Sequence, residues 1–496
     1  MVNVVNYDNS ELNNVLASKR IHCIGAGKKL ELFLQEHSGV IPFSIFDNYA
    51  EGYRNVNGKS FQIQTVDALK TMHLHKKQDL IVVTTIHYAD LLDQLDAMQE
   101  CNDIDCLFLY IPNGEIQRKN EIIDSLKAEE AGARFQLLFD YSHNGETFVS
   151  AGDKAPADIV RIAGKKGYTT ISVKAYWGEF KNDDWRFKAR KLSWEKMTDQ
   201  VISGAVLLLQ NPNWNEQEFE LRKENIRRLK KEKNIRIISI VHDVEELRKI
   251  DFNSYMQQEA EFMMETSDIL IVHNRRMIEF YLGKGVKEDR LVNLQIFDYL
   301  CANSEIPIRT LSKDVIIAGN LNYAKNPHLA GLCRLKNTYF RLFGVGYNED
   351  NESTNVIYEG ALDSNELPNK LPDGFGLVWG GDSLESCTGK AGEYLRYNDP
   401  HKLSLYLAAG LPVIIWDEAA MADFVIENDV GFTVSSLYEL ESKLSDVTEE
   451  VFDRYASNAR RIGERLRAGE YTKAAIKEAE KRLGLDMPCS NDNTEI

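Results

Sequence analysis

Short runs rich in β-branched and other apolar residues alternate along the whole chain with longer stretches whose apolar positions recur every three or four residues. Such alternation marks parallel strands joined by helices that cover a sheet, so the pattern predicts an α/β protein. The first unit reads as strand Arg20–Ile24, a glycine turn at 25–27, helix Leu30–His37, strand Ile41–Phe46, strand Asp79–Thr84 (DLIVVT) and strand Cys106–Ile111 (CLFLYI). A charged, helix-like stretch, Gly114–Ala133, then reads as a linker. The second unit has strands Phe135–Phe139, Thr169–Val173, Gly204–Leu209, Arg236–Val241 and Asp268–Val272, with helices Trp185–Ile202 and Asn215–Lys231. Five strands at this spacing suit a Rossmann-like sheet. Residues 302–313 are polar, carry a proline and break the pattern, as a hinge between lobes would. The third unit has strands Asp314–Ala318, Tyr339–Phe343, Val356–Tyr358, Phe375–Trp379, Pro412–Ile415 and Gly431–Val434, followed by a Glu/Lys/Arg-rich helical pattern over Leu437–Leu483. The expected domains are 1–128, 132–305 and 312–484, with a disordered tail at 485–496.

Length agrees with this division, since 496 residues suggest about three domains. At 43% hydrophobic and 27% charged, the composition is that of a globular protein. No run approaches the roughly 20 apolar residues of a membrane helix, and the first residues lack a signal-peptide core, so a cytoplasmic location is expected. Seven cysteines (Cys23, Cys101, Cys106, Cys301, Cys333, Cys387 and Cys489) are scattered and odd in number, as in a reducing compartment. Cys101 and Cys106 have no neighbouring His or Cys pair, so no metal site is expected. A net charge of −17 repels nucleic acid and turns attention to small-molecule partners.

The turn Gly25-Ala26-Gly27 lies between a strand and a helix, where backbone amides and the helix dipole can receive a phosphate. Leu30 replaces the third glycine of a dinucleotide fingerprint and should obstruct close helix–strand packing, whereas Asp47 stands where a ribose-binding acid would. Gly25, Gly27 and Asp47 are therefore candidate ligand residues, with a bare structural turn as the alternative. A sharper signal is YNDPHKLSLYLAAGLPVI at 397–414. Asn398, Asp399 or the following turn can cap a helix whose first amides are free, and Lys402 adds a full positive charge beside them. That arrangement suits a diphosphate.

This segment, with GFGLVWG at 374–380 upstream and AMADFV at 420–425 downstream, resembles bacterial galactofuranosyltransferases and the related glucosyltransferases that extend glycans on streptococcal serine-rich adhesins. QNPNWN at 210–215, HDV at 242–244 and AGNL at 318–321 match as well, in the same order. The resemblance spans about residues 132–465. It implies a GT-B architecture: two Rossmann-like lobes facing each other across a cleft, here preceded by a separate small Rossmann-like domain. It further implies transfer of a hexosyl group, galactofuranose or glucose, from a UDP-sugar bound by the C-terminal lobe to a glycan or lipid-linked glycan on the N-terminal lobe, with no cofactor required. Donor contacts are expected from Gly319, Asn320, Lys325, Gly376, Tyr397, Lys402, Leu403 and Ser404. Gly319, Asn320 and Lys325 follow a strand, where a side-chain-free turn lets amides approach a phosphate or sugar. Gly380, Gly381 and Asp382 follow another and could hold sugar hydroxyls.

An inverting transfer needs a base at the acceptor hydroxyl. Asp243 is the first choice, with helix capping as its alternative, and His143 the second; a retaining mechanism would need neither. Aromatic and basic residues interleave at Trp185-Arg186-Phe187-Lys188, Arg190-Lys191 and Trp194, and 222–236 carries eight Lys or Arg. Such patches suit peripheral contact with anionic lipid at the inner face of the membrane, or else a solvated helix face over buried aromatics. The C-terminal helices could support a homo-oligomer, as the glucosyltransferase relatives suggest. The first domain, similar to small nucleotide-binding domains attached to sugar-modifying enzymes, is expected to be an accessory module. Two other functions compete: a nicotinamide-dependent oxidoreductase resting on Gly25, Gly27 and Asp47, and a catalytically silent glycan- or nucleotide-binding GT-B protein. Turnover of UDP-sugars separates them.

Overall fold

The computed structural model describes residues 1–7, 9–56, 58–85, 87–110, 116, 118, 119, 135–141, 151–174, 183–250, 252–301, 306–348 and 353–485. Chain contacts divide into two compact units. The first holds a seven-stranded sheet of order β1-β7-β6-β2-β3-β5-β4. Its strands are β1 (Asn3–Val4), β2 (Arg20–Ile24), β3 (Ser44–Phe46), β4 (Tyr53–Val56), β5 (Lys59–Gln64), β6 (Asp79–Val83) and β7 (Asp105–Phe108). All its ladders are parallel except the β4–β5 hairpin. Helices α1 (Asn9–Ser18), α2 (Lys28–Glu36) and α3 (Tyr88–Asp96) belong to it. The segment expected as linker lies almost wholly outside the described residues.

The second unit carries two sheets. One, of order β13-β12-β11-β10-β8-β9, consists of β8 (Phe135–Tyr141), β9 (Thr169–Lys174), β10 (Val206–Asn211), β11 (Arg236–Val241), β12 (Ile269–Val272) and β13 (Leu291–Asn293). Helices α4 (Ala151–Lys165), α5 (Asp183–Gln200), α6 (Phe219–Lys233), α7 (Glu245–Arg248), α8 (Ser254–Thr266) and α9 (Arg275–Gly283) lie between its strands in sequence. Helix α5, as far as Asp199, clusters with the first unit, where Ala189 is buried in the core. The other sheet, of order β16-β15-β14-β17-β18-β19, consists of β14 (Val315–Asn320), β15 (Phe340–Val345), β16 (Val356–Gly360), β17 (Phe375–Val378), β18 (Val413–Trp416) and β19 (Gly431–Val434), all parallel. It carries α10 (Leu367–Lys370), α11 (Gly389–Tyr394), α12 (His401–Ala408), α13 (Ala422–Glu427), α14 (Leu440–Ser445), α15 (Glu449–Ala468) and α16 (Glu470–Arg482). Two Rossmann-like lobes result, and in the second the strand order reverses between β14 and β17, where an open sheet leaves its crevice.

Of the segment expected as a hinge, residues 306–313 are described. Arg309 is buried and donates to the carbonyls of Ala409, Leu371 and Pro368, which ties this stretch to the C-terminal lobe. The C-terminal helices bury apolar faces inside the chain. Phe452, Ala459, Ile462 and Leu466 of α15 join the core of the C-terminal lobe, and Ala475, Ile476 and Ala479 of α16 join that of the N-terminal lobe. Glu480 fixes α16 there by accepting from Lys166 Nζ at 2.5 Å and from the Tyr168 hydroxyl at 2.9 Å. No described helix is long and apolar enough to cross a membrane.

Because Ile476 is fully buried in the core of the other lobe, Ile476→Ala should lower stability by about 2–5 kcal/mol. Urea unfolding of the whole chain would read this as a lower midpoint at unchanged slope; an unchanged midpoint would show that α16 does not hold the lobe.

Candidate active site

At the carboxyl ends of the C-terminal lobe, Gly319 and Lys402 come together. Gly319, the last residue but one of β14, has φ +127, and a Cβ placed there would lie 3.3 Å from Lys402 Cε. The missing side chain thus gives the lysine its path. Helix α12 begins after Pro400, which caps it without a side-chain hydrogen bond, so Asn398 and Asp399 do not cap it as expected. Lys402 sits half-buried in its first turn, and burial pushes its pKa down. Among the described residues nothing accepts a hydrogen bond or makes an ion pair with its ammonium. Its electrostatic neighbours include the buried Cys387 thiol, pushed up to about 12 by burial, and His328, pushed down to about 4 by burial. Both are neutral at pH 7. His328 Nδ1 lies 2.8 Å from the Gly381 carbonyl oxygen and so ties the loop after β17 to the same place.

The other expected donor residues differ in their surroundings. Gly376 lies within β17, where a Cβ would sit 2.1 Å from Tyr406; it makes room for that ring rather than for a ligand. Leu403 is fully buried in the core, and Ser404 is buried with an unpartnered hydroxyl. Tyr397 is half-buried, and its carbonyl accepts from Asn274 Nδ2 at 2.9 Å, a bond between the lobes. Asn320 folds its own loop by accepting from Asn322 N–H, and Lys325 is exposed on that loop.

The N-terminal lobe brings its own groups to its carboxyl edge. His242 Nε2 lies 2.8 Å from Gln210 Oε1, an acceptor, so Nε2 carries the proton and Nδ1 keeps a lone pair. Burial, then His273, pushes its pKa down to about 3, and its ring stacks on Phe297. Asp243 does not cap α7; Val244 does, without a side-chain bond. The Tyr394 hydroxyl of the C-terminal lobe accepts from Val244 N–H at 2.9 Å and bonds the Asp243 carboxylate. Burial raises Asp243 to about 6, against the pull of the Arg248 charge. His143 lies outside the described residues.

Between the lobes runs a connector whose amides are held by buried carboxylates. Phe297 N–H donates to Asp399 at 2.6 Å and Leu300 N–H to Asp158 at 2.9 Å, while Asp298 accepts from Thr472 N–H at 2.6 Å. Lys154 pairs with Asp158 and also donates to the Leu300 carbonyl at 2.7 Å. His273 Nδ1 accepts from Asp399 N–H at 3.1 Å, and His401 Nε2 is buried without a partner. Sequence reasoning did not single out His273, His328, His401 or Tyr394. A signal existed for the first, because β11 and β12 both run into Val-His, at 241–242 and 272–273.

In the first unit, the glycine turn holds itself together. Asp47 accepts from Ala26 N–H at 2.8 Å and from the amides of Tyr49 and Ala50, so the acid placed for a ribose is spent on the turn. Gly25 has φ +105 and a Cβ there would meet Thr84 Oγ1 at 2.8 Å, while the space at Gly27 is open. Leu30 does not obstruct packing; it is fully buried as part of the core. Half of the basic run at 222–236 is ion-paired: Arg222, Lys223, Arg227 and Lys230 pair with Glu259, Glu220, Glu265 and Asp268. Trp194 is buried and Trp185 half-buried, whereas Phe187 between Arg186 and Lys188 is exposed.

Two sequence profiles match the chain: "Glucosyltransferase 3-like, N-terminal domain" at 141–296 and "Glucosyltransferase 3-like, C-terminal domain" at 315–479. The β-1,6-galactofuranosyltransferase WbbI of Escherichia coli (strain K12) is 37% identical over 250 residues, which is 49% of this chain and 71% of that protein. Glucosyltransferase 3 of Streptococcus gordonii is 27% identical over 328 residues, 66% of this chain and 92% of its own. Its namesake from Streptococcus parasanguinis is 22% identical over 344 residues, 68% and 96% respectively.

The connector's carboxylates generate a pH prediction. Burial raises Asp399 to about 8 and Asp298 to about 7, so between roughly pH 4 and those values the folded chain holds protons that the unfolded chain has released. Stability contributed in this way falls as pH rises through that range. The depressed His242, His273, His328 and His401 act oppositely, but their contribution is complete above about pH 6.5. The melting temperature should therefore fall between pH 6.5 and 8, and Asp399→Asn, which keeps an acceptor for Phe297 N–H, should flatten most of that fall. A wild-type melting temperature that stays level over this interval would refute the assignment.

Proposed function

The chain belongs to the glucosyltransferase 3-like family of glycosyltransferases, and from that premise we propose that it moves a hexosyl group, glucose or galactofuranose, from a UDP-sugar to a glycan acceptor. The observation that carries the donor half of this reading is Lys402: an ammonium without a protein partner, in the first turn of α12, reached past the bare end of β14. Paired carboxylates would neutralise it, and none is there among the described residues. A diphosphate supplies the missing anion, and the N-terminal end of the helix favours negative charge through its dipole.

In the transfer, an acceptor hydroxyl oxygen forms a bond to the anomeric carbon as the bond from that carbon to the diphosphate breaks. UDP departs with the electron pair, and Lys402 stabilises the charge that grows on it. The cation that meets the diphosphate is then the protein's own, and the reading requires no cofactor beyond the donor. On the inverting course the hydroxyl proton passes to a base. Asp243 suits that task, since a carboxylate raised to about 6 is ionised at neutral pH yet basic enough to accept a proton. His242, neutral and with Nδ1 uncommitted, is the alternative on the same loop. On the retaining course a donor phosphate oxygen takes the proton. We keep with this reading a cytoplasmic setting, supported by the unpaired Cys23, Cys101, Cys106, Cys301, Cys333 and Cys387.

Two substitutions test it. An ammonium in a charge-assisted contact contributes about 1.5–3 kcal/mol, so Lys402→Ala should weaken UDP binding about ten- to a hundred-fold in calorimetry; unchanged affinity in a folded variant removes the residue from the donor site. Asp243→Asn should depress turnover roughly 100-fold or more while donor affinity stays nearly intact. Persistent turnover with a lowered melting temperature would instead assign Asp243 to holding Tyr394.

A further inference from the structure

The loop after β10 presents an aromatic ring that neither the core nor the donor site uses. Trp214 is 50% exposed, although its backbone neighbours are fixed from three sides. Asn213 N–H donates to the buried Glu259 at 3.0 Å, the Asn213 carbonyl accepts from the Tyr255 hydroxyl at 2.5 Å, and Asn215 N–H donates to Asn213 Oδ1 at 2.8 Å. Glu259 is itself held by Arg222 of α6. A loop anchored this firmly keeps its indole at the surface instead of letting it fold into the lobe, where an aromatic side chain would gain most by burial.

What lies beside the ring gives the exposure a chemical sense. The Arg248 guanidinium sits 5.8 Å from the indole centroid, pairs with Glu245 at 2.6 Å, and shares its electrostatic surroundings with Asp243. Trp214 Nε1–H has no partner among the described residues. Sugars need this combination: a flat aromatic face for the C–H side of the ring, and charged or polar donors and acceptors for its hydroxyl rim. Single exposed apolar side chains are common and need no explanation, but here ring, guanidinium, carboxylate and candidate base occupy one edge.

We propose that Trp214, backed by Arg248, is the platform on which the acceptor sugar stacks beside Asp243. This rests on the transferase reading and adds the part of the N-terminal lobe that receives the acceptor. The test uses the full chain with UDP present, and methyl α-D-glucopyranoside, methyl β-D-galactopyranoside and methyl β-D-galactofuranoside as probes, followed by saturation-transfer NMR and tryptophan fluorescence. At least one glycoside should bind wild type saturably, Trp214→Ala should weaken it about ten-fold or more, and Trp214→Phe should retain most of the affinity, with UDP binding equal in all three. Glycoside affinity unchanged in Trp214→Ala overturns the proposal, as does a wild type that binds UDP but none of the glycosides. A loss of UDP affinity that accompanies glycoside loss in both variants also overturns it, by assigning Trp214 to the fold. Wild type that fails to bind UDP at all is a different result, and defeats the transferase reading itself.

Discussion

The connector between the lobes is pinned by buried carboxyl groups that must find backbone amides. Asp399 holds Phe297 N–H, Asp158 holds Leu300 N–H, and Asp298 holds the start of α16. An unpaired buried carboxylate costs several kcal/mol, so each of these groups dictates where its amide donor lies. The donors belong to the connector and the last helix, and the acceptors to the connector, α4 and the approach to α12. One short segment of chain thereby fixes the N-terminal lobe, the C-terminal helix and the first turn that carries Lys402. His242 stacks on Phe297, and His401 lies against Tyr299 with ring centroids 5.0 Å apart. The connector thus packs its rings against the loop after β11 and the first turn of α12.

Close packing then transmits that placement to the donor edge. Gly376 leaves the space that Tyr406 fills, and the Tyr406 hydroxyl accepts from Ala318 N–H at 2.8 Å, one residue before Gly319. On the other side of α12, Gly463 lets α15 approach until a Cβ would lie 2.2 Å from the Leu407 carbonyl oxygen. The helix carrying Lys402 is therefore held against both β17 and α15 by positions that admit no side chain. Gly376 matters to the site although no ligand need touch it.

The long apolar strands were readable because their runs are continuous and both faces are covered, as in DLIVVT, RIISIV and FGLVW. The two-residue β1, the three-residue β13 and the β4–β5 hairpin carry no such run; they exist because a neighbouring ladder receives them. Lys402 and Gly319 were legible singly, each from its place after or before a strand, whereas their contact across 83 residues was not. Asp399 misled for a related reason. Its position before a helix predicts a cap, and local chemistry cannot reveal that a more deeply buried amide, Phe297 N–H, competes for the same oxygen and wins. Burial also reversed the reading of α16, whose charged sequence looks like a surface helix until the other lobe is placed against its alanines.

On the proposed function, a chain of net charge −17 that takes an anionic donor needs a local answer to a global repulsion. At physiological salt the field of surface charges fades within about 8 Å, so the excess carboxylates act weakly on a diphosphate held at the crevice. A single ammonium 4 Å away in a partly buried setting acts with about 4 kcal/mol at an effective dielectric constant near 20, which outweighs many screened surface charges. That advantage survives only while no carboxylate shares the lysine. Arg222, Arg227 and Lys230 of α6 show the other outcome, since neighbouring acids pair with them. Lys402 is set apart by its surroundings, a glycine, a neutral thiol and a neutral imidazole, and the isolation of the charge, more than its sign, makes the position suited to a phosphate.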